Sequence, residues 1–155
     1  MHTNLDAADG GVNDALAAAL NIRDARPFEP EHILRIGYLD TEIPLDAFLA
    51  EVKAALHCEG LRYTGSKPVN RVAVGGGSCG SMLAEAVKAG CDTFVTADIK
   101  YDVFLRASEL GINLIDAGHF HTENVVIPVL KSWLSREFSG LEILLSSHHA
   151  PEHYC

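Results

Sequence analysis

Apolar positions along this chain recur with two different periods. In "GGVNDALAAALN" helix-forming residues place Val12, Leu16, Ala19 and Leu20 on one face, which predicts a helix after an opening loop. "ARPFEPEH" breaks that rhythm with Pro27 and Pro30, and "ILRIGYL" (33–39) alternates as a strand does. "PLDAFLAEVKAALHC" returns to helical spacing. It puts Leu45, Phe48, Leu49, Val52 and Leu56 on one side, with Pro44 where a first helical turn tolerates it. "GLRYTG" reads as a short strand ending in a turn.

From Asn70 onward the pattern becomes regular. "RVAVGG" is a strand, "SMLAEAVKAG" a helix ending at Gly90, "TFVTA" a strand, and "KYDVFLRASELG" a helix ending at Gly111. "NLIDAG" is a strand, "TENVVIPVLKSWLSREF" a helix and "LEILLSS" a last strand. Strands alternating with helices of this length predict an α/β fold, a mostly parallel or mixed sheet with helices packed on it. Residues 1–155 read as one domain, with 33–69 as a sub-unit beside the regular 70–155 region. Right-handed crossovers bring the carboxyl ends of the strands to one edge. There "GGGSCG", "ADIKY" and "DAGHFHTE" should converge, on the side where open α/β sheets bind ligands.

Composition narrows the partners. With 48% hydrophobic and 21% charged residues the chain is globular, and a net charge of −9 without a basic stripe excludes nucleic-acid backbones and anionic membranes. The same charge suits divalent cations. Cys58, Cys79, Cys91 and Cys155 form no CxxC pair, which points to reduced thiols and a cytoplasmic location. The opening "MHTNLDAADGG" is not a secretory signal, and no apolar run reaches bilayer length.

The chemistry concentrates in "DAGHFHTE". His119 and Glu123 are four apart and face a common point if a helix starts near Thr122; imidazole and carboxylate together suit zinc, manganese or iron. The plain alternative is a loop histidine followed by a carboxylate that complements a helix dipole. His121 lies one residue off that face, as a pocket group. His2 and Asp6 repeat the four-residue spacing, and Asp6 could equally be a turn residue. Gly75, Gly77 and Gly80 match G-x-G-x-x-G between a strand and a helix, with Asp98 closing the next strand, as a nicotinamide-dinucleotide site would require. Gly-rich turns of this kind are also common without a dinucleotide. Asp98, Lys100 and Tyr101 are pocket candidates, Asp98 doubling as a helix cap. The histidine-rich tail "SSHHAPEHYC" reads as a solvated terminus.

Taken together, "HTNLDAADGGVNDALAAALN", "VAVGGGSCGSML", "TADIKY" and "LIDAGHFHTE" resemble, in order, the motifs of the Nif-three-like proteins. These are dinuclear-metal-centre hexamers widely named GTP cyclohydrolase type 2 homologues. The resemblance implies Asp6, His119 and Glu123 as ligands of two divalent ions (zinc, manganese or iron), with His2 close by. His121, Asp98, Tyr101, Gly76, Gly77 and Ser78 would be groups beside the ligands or lining the pocket. It also implies a homo-oligomer, a hexamer, and a nucleotide or related small molecule as ligand. Family members carry an adjacent His-His pair further towards their N-termini, absent before Asp6 here, so the chain is expected to be a C-terminal portion of that fold. Ala97 stands where the family has glycine, and Asp102 where it often has histidine. The functional expectation is a metal-dependent hydrolase of the cyclohydrolase kind with no catalytic side chain assigned. A non-catalytic metal-binding or regulatory protein and an NAD-binding domain remain the alternatives.

Overall fold

The computed structural model describes residues 2–28, 32–147 and 151. Its strands are β1 (Arg23–Pro27), β2 (Arg35–Ile43), β3 (Arg62–Thr64), β4 (Val69–Val74), β5 (Thr93–Thr96) and β6 (Asn113–Asp116). Its helices are α1 (His2–Ala7), α2 (Val12–Ala19), α3 (Leu45–Leu56), α4 (Leu83–Lys88), α5 (Tyr101–Leu110), α6 (His119–Asn124) and α7 (Ile127–Glu137), with a 3-10 turn at Gly80–Met82.

The strands form one mixed sheet in the order β1-β2-β4-β5-β6-β3. β4, β5 and β6 are parallel, with Val74 beside Val95 and Thr96 beside Asp116. β1, β2 and β3 run antiparallel to their neighbours. Side-chain alternation splits the apolar residues between two faces. Val72, Val74, Val95 and Ile115 pack with Leu16 of α2 and with Phe48, Val52 and Leu56 of α3. Ala73, Phe94 and Leu114, each the intervening residue, pack on the other side with Leu83 and Ala86 of α4 and Ala107 of α5. Helices therefore cover both faces of the parallel strands, and those strands read as nearly continuous apolar runs.

Three expectations from the sequence need correction. β1, "RDARP", lies in the stretch read as a break. It is an edge strand with mostly exposed side chains, a register shift between Arg23 and Arg26, and Asp24 at φ +51°, so no alternation marks it. "LEILLSS" is not a strand: residues 142–147 have no regular structure, and Leu144 is 75% exposed. Its apolar run has the composition of a strand, but it pairs with none of the six strands of the sheet. The opening "HTNLDA", read as a loop, is α1. In addition, the single helix expected over "TENVVIPVLKSWLSREF" is broken at Val125–Val126, and Pro128 sits in the first turn of α7, where its missing N–H costs nothing. No helix among the described residues is long and apolar enough to cross a membrane.

Candidate metal centre

The loops at the carboxyl ends of β4, β5 and β6 meet, and buried polar side chains lock them together. Gly76 N donates to Asn13 Oδ1 at 2.6 Å, while Asn13 Nδ2 donates to Asp6 O at 3.2 Å and Ile33 O at 2.8 Å. One α2 side chain thus ties the Asp6 segment to the glycine loop. Arg35, fully buried, does the rest: it pairs with Asp14 and donates to Ala7 O and Ala8 O at 3.1 Å and to His32 O at 2.7 Å. Both ends of the guanidinium are satisfied, as a buried charge requires.

The glycine loop is closed on itself. Gly75 N donates to Val95 O, Gly77 N to Thr122 Oγ1 at 3.0 Å, and Cys79 N to Gly77 O at 3.0 Å. Thr96 Oγ1 donates to Gly77 O at 2.9 Å. The N–H groups of Gly75, Gly76, Gly77 and Cys79 are therefore spent internally. A nicotinamide dinucleotide would need such groups for its pyrophosphate, so the loop lends that reading no support. What glycine provides here is space. Gly77 has φ +64°, and a Cβ there would collide with Glu123 Oε1 and stand 3.2 Å from His119 Nε2.

His119 and Glu123 occupy successive turns of α6, which starts at His119 rather than near Thr122. Their side chains meet, with Nε2 3.1 Å from Glu123 Oε1. The other ring nitrogen, Nδ1, lies 2.6 Å from Asp98 Oδ2. Asp98, in the loop that follows β5, holds φ +52°, a left-handed conformation that Asp tolerates better than most side chains. Its neighbours fix it. Ala97 N donates to Gly77 O at 2.9 Å, and Ile99 N donates to Asp116 Oδ2 at 3.1 Å. Asp116, only 6% exposed, also pairs with Arg62 and accepts from Gly118 N at 3.2 Å.

These contacts set the electrostatics. The hydrogen bond to Asp98, helped by the charges of Glu123 and Asp98, raises the His119 pKa above its ordinary value, with partial burial opposing. Burial pushes the Cys79 thiol up to about 11, and the charges of Asp6 and Glu123 push in the same direction. Cys79 is thus a neutral thiol, its Sγ donating to Gly76 O at 3.3 Å.

The remaining predicted residues are distributed unevenly. His121 points away from Glu123: its Nδ1 lies 3.1 Å from Leu56 O at the end of α3, and its ring meets Phe120 edge-on. Gly76 is buried, and Ser78 is exposed on the loop. Tyr101 opens α5 and is 77% exposed. It lines a groove of about 450 Å³ with Arg62, Tyr63, Thr64, Phe104, Leu105 and Ser108. Arg62 also donates to Ile99 O at 3.0 Å, so that groove borders the Asp98 loop. The side chain of His2, and His148, His149 and His153 of the tail, lie outside the described residues. Asn13, Arg35, Arg62 and Asp116 lay inside quoted segments but were not singled out from the sequence, and Thr122 was named only as a helix start.

A divalent cation fits the His119–Glu123 pair. Two tetrahedral ligands at about 2.0–2.2 Å from one ion stand roughly 3.3–3.5 Å apart; the observed 3.1 Å is close to that, and Gly77 leaves the approach open. Among the described residues no group of three or more His, Cys, Asp or Glu is arranged to hold an ion. The chain therefore presets two donors and leaves further ligands, and any second ion, to other groups.

Comparison with known proteins agrees with this arrangement of segments. The family profile Duf34/NIF3 (NGG1p interacting factor 3) matches residues 1–151. A "GTP cyclohydrolase 1 type 2 homolog" from Clostridium perfringens is 32% identical over 154 residues, covering 94% of this chain and 59% of the relative. A protein of the same name from Nostoc is 32% identical over 130 residues, covering 79% and 49%. The chain thus spans roughly half the length of the curated relatives it matches. Among solved structures, a Bacillus cereus protein related to NIF3 has a TM-score of 0.89 at 22% identity, over 99% of this chain and 72% of that one, which shows the shared fold. Reduced HcgD from Methanocaldococcus jannaschii has a TM-score of 0.76 at 28% identity, over 88% and 55%. With the profile running over nearly its whole length, the chain belongs to the Duf34/NIF3 family.

Proposed function

We propose that this chain binds a divalent metal ion (zinc, manganese or iron) through His119 and Glu123, with Asp6 completing the protein's share, and that the site serves hydrolysis of a nucleotide or related small molecule. The observation that carries the reading is the His119 Nε2–Glu123 Oε1 separation of 3.1 Å, opened by Gly77 and backed by Asp98. A metal-ligating imidazole whose other nitrogen donates to a carboxylate is the usual arrangement in protein metal sites. A divalent ion there supplies Lewis acidity for attack by water. The chain's own residues hold the imidazole, present the Glu123 carboxylate and keep Asp6 near the glycine loop through Asn13 and Arg35. The name of the curated relatives supports a purine-nucleotide class of substrate. So does the groove, which carries the exposed ring of Tyr101 beside the Asp98 loop.

The test is metal per chain by mass spectrometry after chelation and reloading. With so few preset donors, binding should be loose and substoichiometric, and His119→Ala or Glu123→Ala should remove it. Two tightly held ions that survive His119→Ala would place the centre elsewhere. We also infer that copies of the chain associate. α7 and the segment after it expose Leu134, Phe138, Leu141, Leu144 and Leu145, an apolar surface that favours contact between protein chains. A concentration-independent monomer in light scattering would sink that inference.

A further inference from the structure

We propose that Asp98 is the positioning residue of the centre: it holds the neutral His119 ring with its proton on Nδ1, so that the Nε2 lone pair faces Glu123 and the space over Gly77. The inference deepens the metal-site reading and rests on it for its purpose, but the state it assigns to His119 exists in the metal-free chain.

A free neutral imidazole favours the opposite tautomer, with the proton on the outer nitrogen. That form would turn an N–H, not a lone pair, towards the cation position, and an N–H cannot ligate. Two carboxylates compete for the single proton here. Asp98 Oδ2 is 2.6 Å from Nδ1, and Glu123 Oε1 is 3.1 Å from Nε2. The shorter contact belongs to Asp98, and its placement is built in. The residue before it is pinned by Ala97 N to Gly77 O at 2.9 Å. The residue after it is pinned twice, by Ile99 N to Asp116 Oδ2 at 3.1 Å and by Arg62 to Ile99 O at 3.0 Å. Asp116 also receives Gly118 N, the residue just before His119. One buried carboxylate therefore holds both loops, so the fold sets the backbone positions from which the Asp98 and His119 side chains meet.

The left-handed backbone at Asp98 supplies clean variants. Glycine suits φ +52° and removes the carboxylate, so Asp98→Gly tests the acceptor without straining the loop. Asparagine also tolerates that conformation and keeps an acceptor oxygen for Nδ1–H, so Asp98→Asn is the rescuing variant. The first readout is the pair of 15N shifts of the His119 ring in metal-free protein, taken above the pH at which the ring itself is seen to lose its charge. We expect the proton on Nδ1 in the wild type and in Asp98→Asn, and on Nε2 in Asp98→Gly. The second is zinc affinity against a competing chelator, expected to fall about tenfold to a hundredfold in Asp98→Gly and to recover in Asp98→Asn. The same tautomer in wild type and Asp98→Gly overturns the proposal, as does a proton on Nε2 in the wild type. If the wild-type chain takes up no zinc, the metal reading fails while the 15N shifts still decide the role of Asp98.

Discussion

Arg62 and Asp116 form a half-covered ion pair in which the two partners differ sharply: the Arg62 side chain is 61% exposed and that of Asp116 only 6%. The consequence of deleting either is therefore unequal. Asp116→Ala leaves the N–H groups of Ile99 and Gly118 without their acceptor, each costing about 1–3 kcal/mol where water cannot replace it. Arg62→Ala removes a largely solvated cation and its stacking on Phe104, and should cost at most about 1 kcal/mol. Urea unfolding of the two variants should show Asp116→Ala as clearly the more damaging. The opposite order would mean that Asp116 is not what ties the two loops together.

Gly77 and Gly80 lie in the same loop and make a matched pair for a second prediction. At Gly77 a side chain meets both a left-handed backbone and the carboxylate of Glu123. Gly77→Ala should cost about 1–2 kcal/mol from backbone strain alone and should abolish metal uptake. At Gly80 a Cβ would have nothing nearer than 3.9 Å, so Gly80→Ala should be nearly neutral on both counts. Thermal unfolding and metal content of the two variants, side by side, check this. Unimpaired uptake by Gly77→Ala would show that the cation does not sit over that glycine.

How much of this was legible in the sequence depends on whether a feature leaves a local pattern. His119 and Glu123 are one helical turn apart in a strand-to-helix loop, and that spacing alone suggests their meeting. Phe94, Leu114 and the valines of β4 form apolar runs bounded by glycine, so the parallel strands stand out as well. β1 does not: "RDARP" is exposed, polar and bulged, and is a strand only because β2 offers it an edge. "LEILLSS" fails for the converse reason, strand-like in composition but paired with no strand of the sheet. Arg35 is the least legible. A lone arginine in "ILRIGYL" suggests an outward-facing position, and its burial follows only once the Asp14 carboxylate and the carbonyls of Ala7 and Ala8 surround it.

Arg35 also carries the third prediction. Its guanidinium is fully buried and joins α2, the segment that leads into β2 and the end of α1. Arg35→Met would keep much of the side-chain volume while removing the donor to the carbonyls of Ala7, Ala8 and His32 and leaving Asp14 with only Gly10 N. Because the Asp14 carboxylate left behind is still 30% exposed, the loss should be about 1–3 kcal/mol. Beyond stability, the variant should loosen the Asp6 segment, so metal affinity should fall even in conditions where the domain stays folded. Hydrogen exchange can separate the two effects: protection at residues 4–8 should drop more than protection in β5. Uniform loss of protection across the chain would instead make Arg35 a global staple with no special bearing on Asp6.

The last prediction concerns pH, and its sign follows from His119. The fold raises the His119 pKa above the ordinary 6.5, chiefly through the hydrogen bond to Asp98. Folding therefore favours the protonated ring, and that contribution is fully present below about pH 6.5 and is lost as pH rises through the raised folded value. Metal-free protein should lose stability over this window, and His119→Gln should flatten the slope. Cys79 ionises far above the window, since its thiol is pushed up to about 11. Zinc should show the opposite trend. A cation at Nε2 must displace the proton, so binding releases a proton and affinity rises as pH climbs through the same range. Urea midpoints at stepped pH test the first half, and calorimetry in buffers of different ionisation enthalpy tests the second. A slope unchanged in His119→Gln, or zinc binding without proton release, would separate His119 from the metal site altogether.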